Sequence, residues 1–171
     1  MSDLRIVAEL MAVAARTAPK TKGEDCLVIK IIEGVELQKL AEEMLLFGQR
    51  TGKKNFDRDG KNVGASDAVL LVGIKNGPVA GLNCGACGVE ICELLPINSV
   101  EGEFKGPNCA YRLLDMGIAL GSAAKMAGLL NADSRIMYRA GAVARAAGLI
   151  DADFVMGIPI SATGKSIYFD R

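Results

Sequence analysis

The chain of 171 residues contains no histidine and no tryptophan, and aromatic residues make up only 5% of it. The missing imidazole excludes Ser-His-Asp and Cys-His catalytic relays, zinc sites with imidazole ligands, Rieske centres and histidine-ligated haem. An excess of one charge is absent too, since 20 basic residues balance 20 acidic ones. With no basic run, the sequence gives no sign of a nucleic-acid or membrane-surface partner.

Long apolar runs are also absent. The longest uncharged stretch, residues 76–89, is rich in glycine and falls short of the roughly 20 apolar residues that a membrane span needs. Asp3, Arg5 and Glu9 interrupt any apolar run at the N-terminus, so nothing there resembles a secretory signal. We therefore expect a cytoplasmic protein. Half of its residues are apolar, which suffices for the core of a single domain over residues 1–171.

What the chain does contain is a group of four cysteines within one stretch. Cys84 and Cys87 form a Cys-x2-Cys pair that can bind one metal centre. Cys92 lies close enough to add a third sulfur, and Cys109 supplies a fourth near the start of a long helical pattern, where the helix dipole favours a thiolate. Four thiolates suit a [4Fe-4S] cluster, a [2Fe-2S] cluster or tetrahedral zinc. We predict a [4Fe-4S] cluster held by these four residues in a loop at about 81–109.

Several alternatives compete with this prediction. The spacing departs from both common ferredoxin patterns, so the cysteine positions alone leave the cluster type open. A four-cysteine zinc site usually brings two Cys-x2-Cys hooks, and this chain has one. A thioredoxin-like dithiol at Cys84 and Cys87 would leave Cys92 and Cys109 unexplained. Cys26 stands apart before an apolar run and is interpreted as a buried packing thiol.

Hydrophobic periodicity predicts the α+β class, with a mixed central sheet flanked by helices. Residues 68–74 form a continuous apolar run, which is typical of a buried central strand. The expected helices are 3–16, 35–49, 109–130 and 140–148, with 53–62 as a loop or short helix. The expected strands are 26–33, 68–74, 134–138, 154–160 and 166–169.

Several ordered motifs carry a resemblance to a known family. They are residues 16–20 (Arg-Thr-Ala-Pro-Lys) with Gly23, the cysteine loop at 83–88, the helical segment 115–123 and the C-terminal segment 157–171. Together they resemble the uncharacterised prokaryotic family of ferredoxin domain-containing proteins over nearly the whole chain. The resemblance implies an iron-sulfur protein and brings no reaction with it.

A more distant resemblance concerns the order of elements. An N-terminal helix ending in the Arg-Thr-Ala-Pro-Lys turn, a small-residue central helix and a basic C-terminal segment are similar to a shortened FMN-dependent nitroreductase. That resemblance implies a homodimer with a nitroreductase-like fold, whose FMN phosphate meets basic residues from two segments. Arg16, Thr17 and Lys20 match the first segment, and Lys165 and Arg171 match the second. The competing interpretation is that basic residues after a helix complement its dipole.

Two functions from different classes follow. The first is a redox protein that passes electrons through a cluster, with FMN as a second cofactor of an oxidoreductase and an unidentified electron donor or acceptor. The second is a non-catalytic scaffold or sensor, in which a cluster or a zinc ion bound by four cysteines only holds the loop in place. No general acid or base can be named, because histidine is absent and the carboxylates are scattered.

Overall fold

Helices and strands alternate along residues 4–169, which are the residues that the computed structural model describes. The helices are Arg5–Thr17 (α1), Gly34–Thr51 (α2), Phe56–Gly64 (α3), Ala110–Leu129 (α4) and Tyr138–Ala146 (α5). The strands are Leu27–Ile32 (β1), Ala68–Ile74 (β2), Val100–Glu101 (β3), Lys105–Gly106 (β4), Asp133–Ser134 (β5) and Phe154–Ser161 (β6). Single 3-10 turns lie at Thr21–Gly23 and Cys92–Leu94.

The central sheet has the strand order β1-β2-β6-β5. Each of its pairings is antiparallel, whereas the sequence analysis expects strands of both directions. The reason lies in the connection between β1 and β2. This connection contains two helices, α2 and α3. Strand β2 starts at the end of the sheet where β1 finishes, so Ile32 pairs with Val69. A single helix between the strands would have given the parallel arrangement.

Two helical layers cover the sheet, as the α+β prediction requires. All seven residues of β2 are buried, which confirms it as the central strand. Successive side chains of a strand point to opposite faces, and here Leu70 and Val72 pack with α1 and α4, while Val69 and Leu71 pack with α2, α3 and α5. The core therefore consists of two apolar clusters separated by the sheet.

Helix boundaries follow from local chemistry. α1 ends at Thr17 because Ala18 precedes Pro19, and Ala18 accordingly has an extended ψ of 141°. α2 ends at Gly52, whose φ of +68° lets its amide return to the carbonyl of Gly48 at 2.9 Å. The charged segment predicted as a loop or short helix is the helix α3.

The C-terminal strand predicted at 166–169 is wrong. Residues 167–169 form bends and pair with no strand. Tyr168 is nevertheless buried. Its hydroxyl lies 2.9 Å from Ser66 Oγ, and Arg135 Nη1 donates to its carbonyl oxygen at 2.9 Å. The short apolar run of Ile167, Tyr168 and Phe169 that suggested a strand thus contains one buried aromatic anchor, Tyr168. The strand expected at 134–138 is shorter than expected, as the two-residue β5.

Within residues 4–169, no helix is long and apolar enough to cross a membrane.

We predict that Gly141→Ala destabilises the fold strongly. A Cβ atom at Gly141 would lie 1.9 Å from the carbonyl oxygen of Val155, because α5 touches the backbone of β6 there. Backbone cannot yield as a flexible side chain can, so we expect a loss of about 3 kcal/mol or more in urea unfolding. The control is Gly128→Ala in α4, where a Cβ meets no atom within 4 Å and helix propensity favours alanine by up to about 1 kcal/mol. Equal stability of the two variants would contradict the packing argument.

Candidate metal-thiolate site

The cysteine loop, residues 75–109, connects the end of β2 to the start of α4. It leaves the sheet at the end where Leu27, Ile74 and Phe154 lie side by side. The loop carries little regular structure apart from one 3-10 turn and the hairpin of β3 and β4. Side-chain contacts therefore have to hold it in place.

Asp153 ties both halves of the cysteine loop to the sheet. Its carboxylate is 8% exposed and accepts hydrogen bonds from the amide of Asn76 at 2.6 Å and from Asn98 Nδ2 at 2.9 Å. Lys105 Nζ lies 3.5 Å from the other carboxylate oxygen. Asp153 precedes β6 directly, so the loop is anchored to a strand of the central sheet.

All four predicted cysteines line one pocket. Apolar side chains complete its wall, among them Leu95, Val79 and Tyr111. The exposure of the four sulfur residues differs, however: Cys84 is exposed, Cys87 and Cys92 are half-buried, and Cys109 is buried. The pocket thus has an inner and an outer side.

Cys87 and Cys109, named here the inner pair, lie against each other at the start of α4. Burial favours the neutral thiol of Cys109, but the amides of Ala80, Arg112 and Tyr111 and the thiol of Cys87 outweigh burial and hold the pKa of Cys109 below its ordinary value.

For Cys87 the balance is reversed. The amide of Ala110, 3.1 Å from its sulfur, favours the thiolate, yet burial and the neighbouring sulfurs of Cys109 and Cys84 outweigh that contact and raise the pKa of Cys87. Because Ala110 directly follows Cys109, its contact with the sulfur of Cys87 places the two cysteines side by side.

Cys84 and Cys92, the outer pair, are held through Asn83. The amide of Cys92 donates to Asn83 Oδ1 at 2.9 Å, and the amide of Asn83 donates to Cys92 Sγ at 3.3 Å. Asn83 adopts a φ of +47°, and Gly85 follows with +72°, which confirms that the chain turns sharply around Cys84. This reciprocal clamp fixes the position of Cys92 relative to the Cys-x2-Cys segment.

The donor set fits a metal-thiolate group by its chemistry. Four soft sulfurs share a pocket, and backbone amides donate to those of Cys87 and Cys92, which is how proteins tune bound metal-thiolate centres. Among residues 4–169, however, no three cysteine, aspartate or glutamate side chains are arranged closely enough to hold a metal ion. Binding one metal ion through all four sulfurs therefore requires them to come closer together than they are here.

Sequence reasoning missed a buried arginine that supports this site. Arg112 is 2% exposed, and its guanidinium donates to the carbonyl oxygens of Pro78 at 3.0 Å and Thr21 at 3.3 Å. It also pairs with Glu24 and, at 3.5 Å, with Asp115. The signal was present in the sequence, since two opposite charges three residues apart interrupt an otherwise apolar helix.

Asp115 completes the network by accepting two hydrogen bonds from Thr21, one from its amide and one from its hydroxyl, each at 2.8 Å. The turn at Thr21–Gly23 is thereby fixed to α4. Lys22 Nζ in turn lies 3.5 Å from the position that a Cβ of Gly81 would occupy. The turn and the start of the cysteine loop are consequently neighbours.

The first group of predicted flavin residues makes contacts within the chain. The ammonium group of Lys20 donates to the carbonyl oxygens of three residues at the end of α1, and its side chain is 4% exposed. Thr17 Oγ1 donates to Val13, and Arg16 Nη1 bonds Asp25 and, at 2.8 Å, the carbonyl of Leu27. Lys20 thus caps the helix, whereas the side chain of Arg16 is 48% exposed.

The second group lies elsewhere in the chain. Lys165 is exposed and follows β6 by four residues, and Arg171 lies outside the described residues. Arg16 contacts Leu27, which aligns with Phe154 at the start of β6, whereas Lys165 follows its end at Ser161. Seven strand steps, roughly 24 Å, separate those two ends. Within one chain, the two groups therefore lie toward opposite ends of the sheet.

Comparison with known sequences assigns the family. A model described as "uncharacterized protein containing a ferredoxin domain" matches residues 105–171. An uncharacterized protein of Archaeoglobus fulgidus is 50% identical over 169 residues, which is 98% of this chain and 91% of that protein. The chain belongs to this family of uncharacterized proteins containing a ferredoxin domain. Of the four pocket cysteines, only Cys109 lies in the segment that the family model matches.

Comparison with solved structures concerns the fold. A putative nitroreductase in complex with FMN from Desulfovibrio desulfuricans matches 100% of this chain and 81% of its own, with a TM-score of 0.62 and 12% identity. An oxidoreductase containing FMN matches 92% of this chain at a TM-score of 0.56 and 15% identity, and the chain spans 66% of its length. The predicted nitroreductase-like fold is thus confirmed.

We predict that Asp153→Ala loosens the cysteine loop. Removing the carboxylate leaves the amide of Asn76 and the side chain of Asn98 without their acceptor, and hydrogen bonds to a charged group contribute about 1.5–3 kcal/mol. Amide hydrogen exchange should accelerate across residues 76–106 and much less in β2. Asp151→Ala is the matched control, because its side chain is 82% exposed and pairs only with Lys75. Unchanged exchange in the loop of Asp153→Ala would show that the clamp is dispensable.

Proposed function

We propose that this protein is an iron-sulfur redox protein with a [4Fe-4S] cluster held by Cys84, Cys87, Cys92 and Cys109. The observation that carries the proposal is the shared pocket of these four sulfurs, at which amides of the loop and of the start of α4 are directed. When bound, such a cluster supplies one-electron transfer, with a potential set by sulfur hydrogen bonds and solvent exposure.

Different residues around the pocket would contribute to different parts of electron transfer. The amides at Cys109 and Cys87 stabilise negative charge on sulfur, and the wall of Leu95, Val79 and Tyr111 limits the access of water. Cys84 is exposed, so the outer side of the pocket gives the shortest route to an external electron donor or acceptor. This asymmetry is suited to electron transfer.

A second candidate is a non-catalytic module whose metal only fixes the loop as a scaffold or sensor. The observation that favours it is the irregular course of residues 75–109, whose two halves depend on Asp153 for their attachment. Four thiolates also suit structural zinc. The visible spectrum of anaerobically purified protein separates the candidates, since an iron-sulfur cluster absorbs broadly and zinc does not.

We predict that serine at any one of the four pocket cysteines abolishes stoichiometric iron and sulfide. Serine lacks the soft sulfur that these metals prefer. Cys26→Ser is the matched control: this half-buried thiol lies outside the pocket, and burial raises its pKa. Iron, zinc and sulfide analysis of anaerobically purified variants provides the measurement. Full iron retention in Cys109→Ser, or complete loss in Cys26→Ser, would overturn the ligand assignment, and zinc without sulfide would favour the second candidate.

We also propose that the protein is a homodimer. Large apolar side chains form an exposed stripe on α1 and α4, which pack against each other. Ile6, Leu10 and Val13 are 63%, 40% and 58% exposed, and Leu114 and Ile118 are 59% and 48% exposed. Their spacing places them along single helix faces, and monomers rarely expose such continuous apolar surface.

FMN binding is the finer part of the proposal, and the nitroreductase fold supports it. A phosphate prefers guanidinium and ammonium donors that converge from separate segments. Since Arg16 and Lys165 lie toward opposite ends of the sheet in one chain, a shared phosphate would need Arg16 of one subunit and Lys165 of the other. Flavin would add two-electron exchange with a substrate.

We predict that replacing Arg16 and Lys165 together by methionine weakens FMN binding at least tenfold, because each charge-assisted contact contributes about 1.5–3 kcal/mol. Lys39 and Lys61, both exposed, form the control pair. Anaerobic titration with FMN gives the affinity, and sedimentation gives the oligomeric state. A wild-type monomer, or a protein without saturable micromolar binding, would remove the flavin from the proposed function.

A further inference from the structure

The inner pair is arranged for chemistry of its own, independent of any metal. The sulfur of Cys87 lies 3.1 Å from the amide nitrogen of Ala110, the residue directly after Cys109, so the two cysteines are neighbours. Both line the same pocket and pack in one apolar cluster with Ala80 and Leu95. Both sulfurs lie at the start of the 20-residue helix α4, whose dipole stabilises a thiolate.

We infer that Cys87 and Cys109 form a reversible disulfide when the pocket holds no metal. The two-electron oxidant is a small disulfide such as oxidised glutathione. Cys87, the more accessible of the two, loses its proton to solvent, attacks one glutathione sulfur and releases the first reduced glutathione. Cys109 then attacks Cys87 Sγ from inside the pocket and displaces the second. The protein loses two electrons and two protons, and one oxidised glutathione becomes two reduced ones.

The other cysteines are less suited to this bond. Cys92 is held by its reciprocal hydrogen bonds with Asn83, and Cys84 is exposed on the outer side of the pocket. Cys26 lies outside the pocket, beside Arg112 and Glu24. The alternative partner for Cys87 is therefore Cys84 in the Cys-x2-Cys segment, and the experiment has to distinguish these two pairings.

The disulfide would make metal loading dependent on a reductant. A sulfur engaged in a disulfide is no longer a thiolate ligand, so the metal-bound and disulfide forms of the pocket exclude each other. The bond would also tie the loop to α4 and keep the pocket closed while it is empty. Loss of metal under oxidising conditions would thus become a reversible state.

The sequence offers a direct readout of the pairing. No lysine or arginine lies between Lys75 and Lys105, so trypsin releases residues 76–105 as one peptide with three cysteines. Cys109 falls in the separate peptide 106–112, and Cys26 in 23–30. A bond between the inner pair joins peptides 76–105 and 106–112, whereas a bond between Cys84 and Cys87 stays within the first peptide.

The experiment treats reduced, metal-free, full-length protein with oxidised glutathione and digests it without reductant after blocking free thiols. We expect an intact mass lower by about 2 Da, the mass of two hydrogens, and the joined peptides as the main product. Cys87→Ser and Cys109→Ser should abolish the joined peptides, while Cys84→Ser, Cys92→Ser and Cys26→Ser should retain them. Circular dichroism checks that each variant is folded. Dithiothreitol should restore free thiols and, where the protein binds iron, its uptake.

Three results would overturn the inference: an internal bond within residues 76–105, glutathione adducts without joined peptides, or joined peptides that persist in Cys87→Ser. Because these oxidation experiments use metal-free protein, their outcome does not depend on the proposed iron-sulfur function. A protein that never binds metal but forms the joined peptides would refute the proposed function alone. One that binds iron and shows no joined peptides would refute this inference alone.

Discussion

The buried guanidinium of Arg112 is the interaction on which the arrangement of this molecule depends. A charge at 2% exposure is stable only when it is paired and hydrogen-bonded, and Arg112 meets that requirement with groups from three separate segments. Its partners are the start of the cysteine loop at Pro78, the turn at Thr21 to Glu24, and Asp115 on its own helix. Packing α4 against the sheet therefore requires the turn and the loop to assemble around the same side chain.

This network explains why one end of the sheet carries the chemistry. The turn after α1, the start of β1, the end of β2 and the residue preceding β6 all meet there, and both Asp153 and Arg112 bind the cysteine loop. At the other end, Tyr168 joins the C-terminal segment to the core through hydrogen bonds with Ser66 and Arg135. Residues from the two ends meet only if a second subunit brings them together. The proposed flavin site therefore depends on the proposed dimer.

The sequence predicted the positions of most helices and strands well, but it did not predict the relative directions of the strands. The uninterrupted apolar run at 68–74 identified the buried central strand, because burial on both faces requires apolar residues throughout. Strand direction depends on how many helices lie between two strands, and the charged segment at 53–62, predicted as a loop or short helix, left that number open. Within the site, the spacing of the cysteines was sufficient to place all four at one pocket. The pair of Arg112 and Asp115, three residues apart, marked a buried charge in the sequence but not its distant partners. Pro78 is 34 residues from Arg112, and Asn98 and Asn76 are 55 and 77 residues from Asp153, so spacing could not predict how these two side chains hold the cysteine loop.

Fold and site give different information about function here. The nitroreductase-like fold covers the whole chain, yet folds host many unrelated activities, and the residues that distinguish this chain lie in a loop. The helix-capping contacts of Lys20 use all three of its protons, so a phosphate that recruited it would have to break them. The sulfurs of Cys87 and Cys92, in contrast, already accept amide hydrogen bonds from Ala110 and Asn83. Contacts within the chain therefore favour charge on these pocket sulfurs, whereas they compete with a phosphate for Lys20.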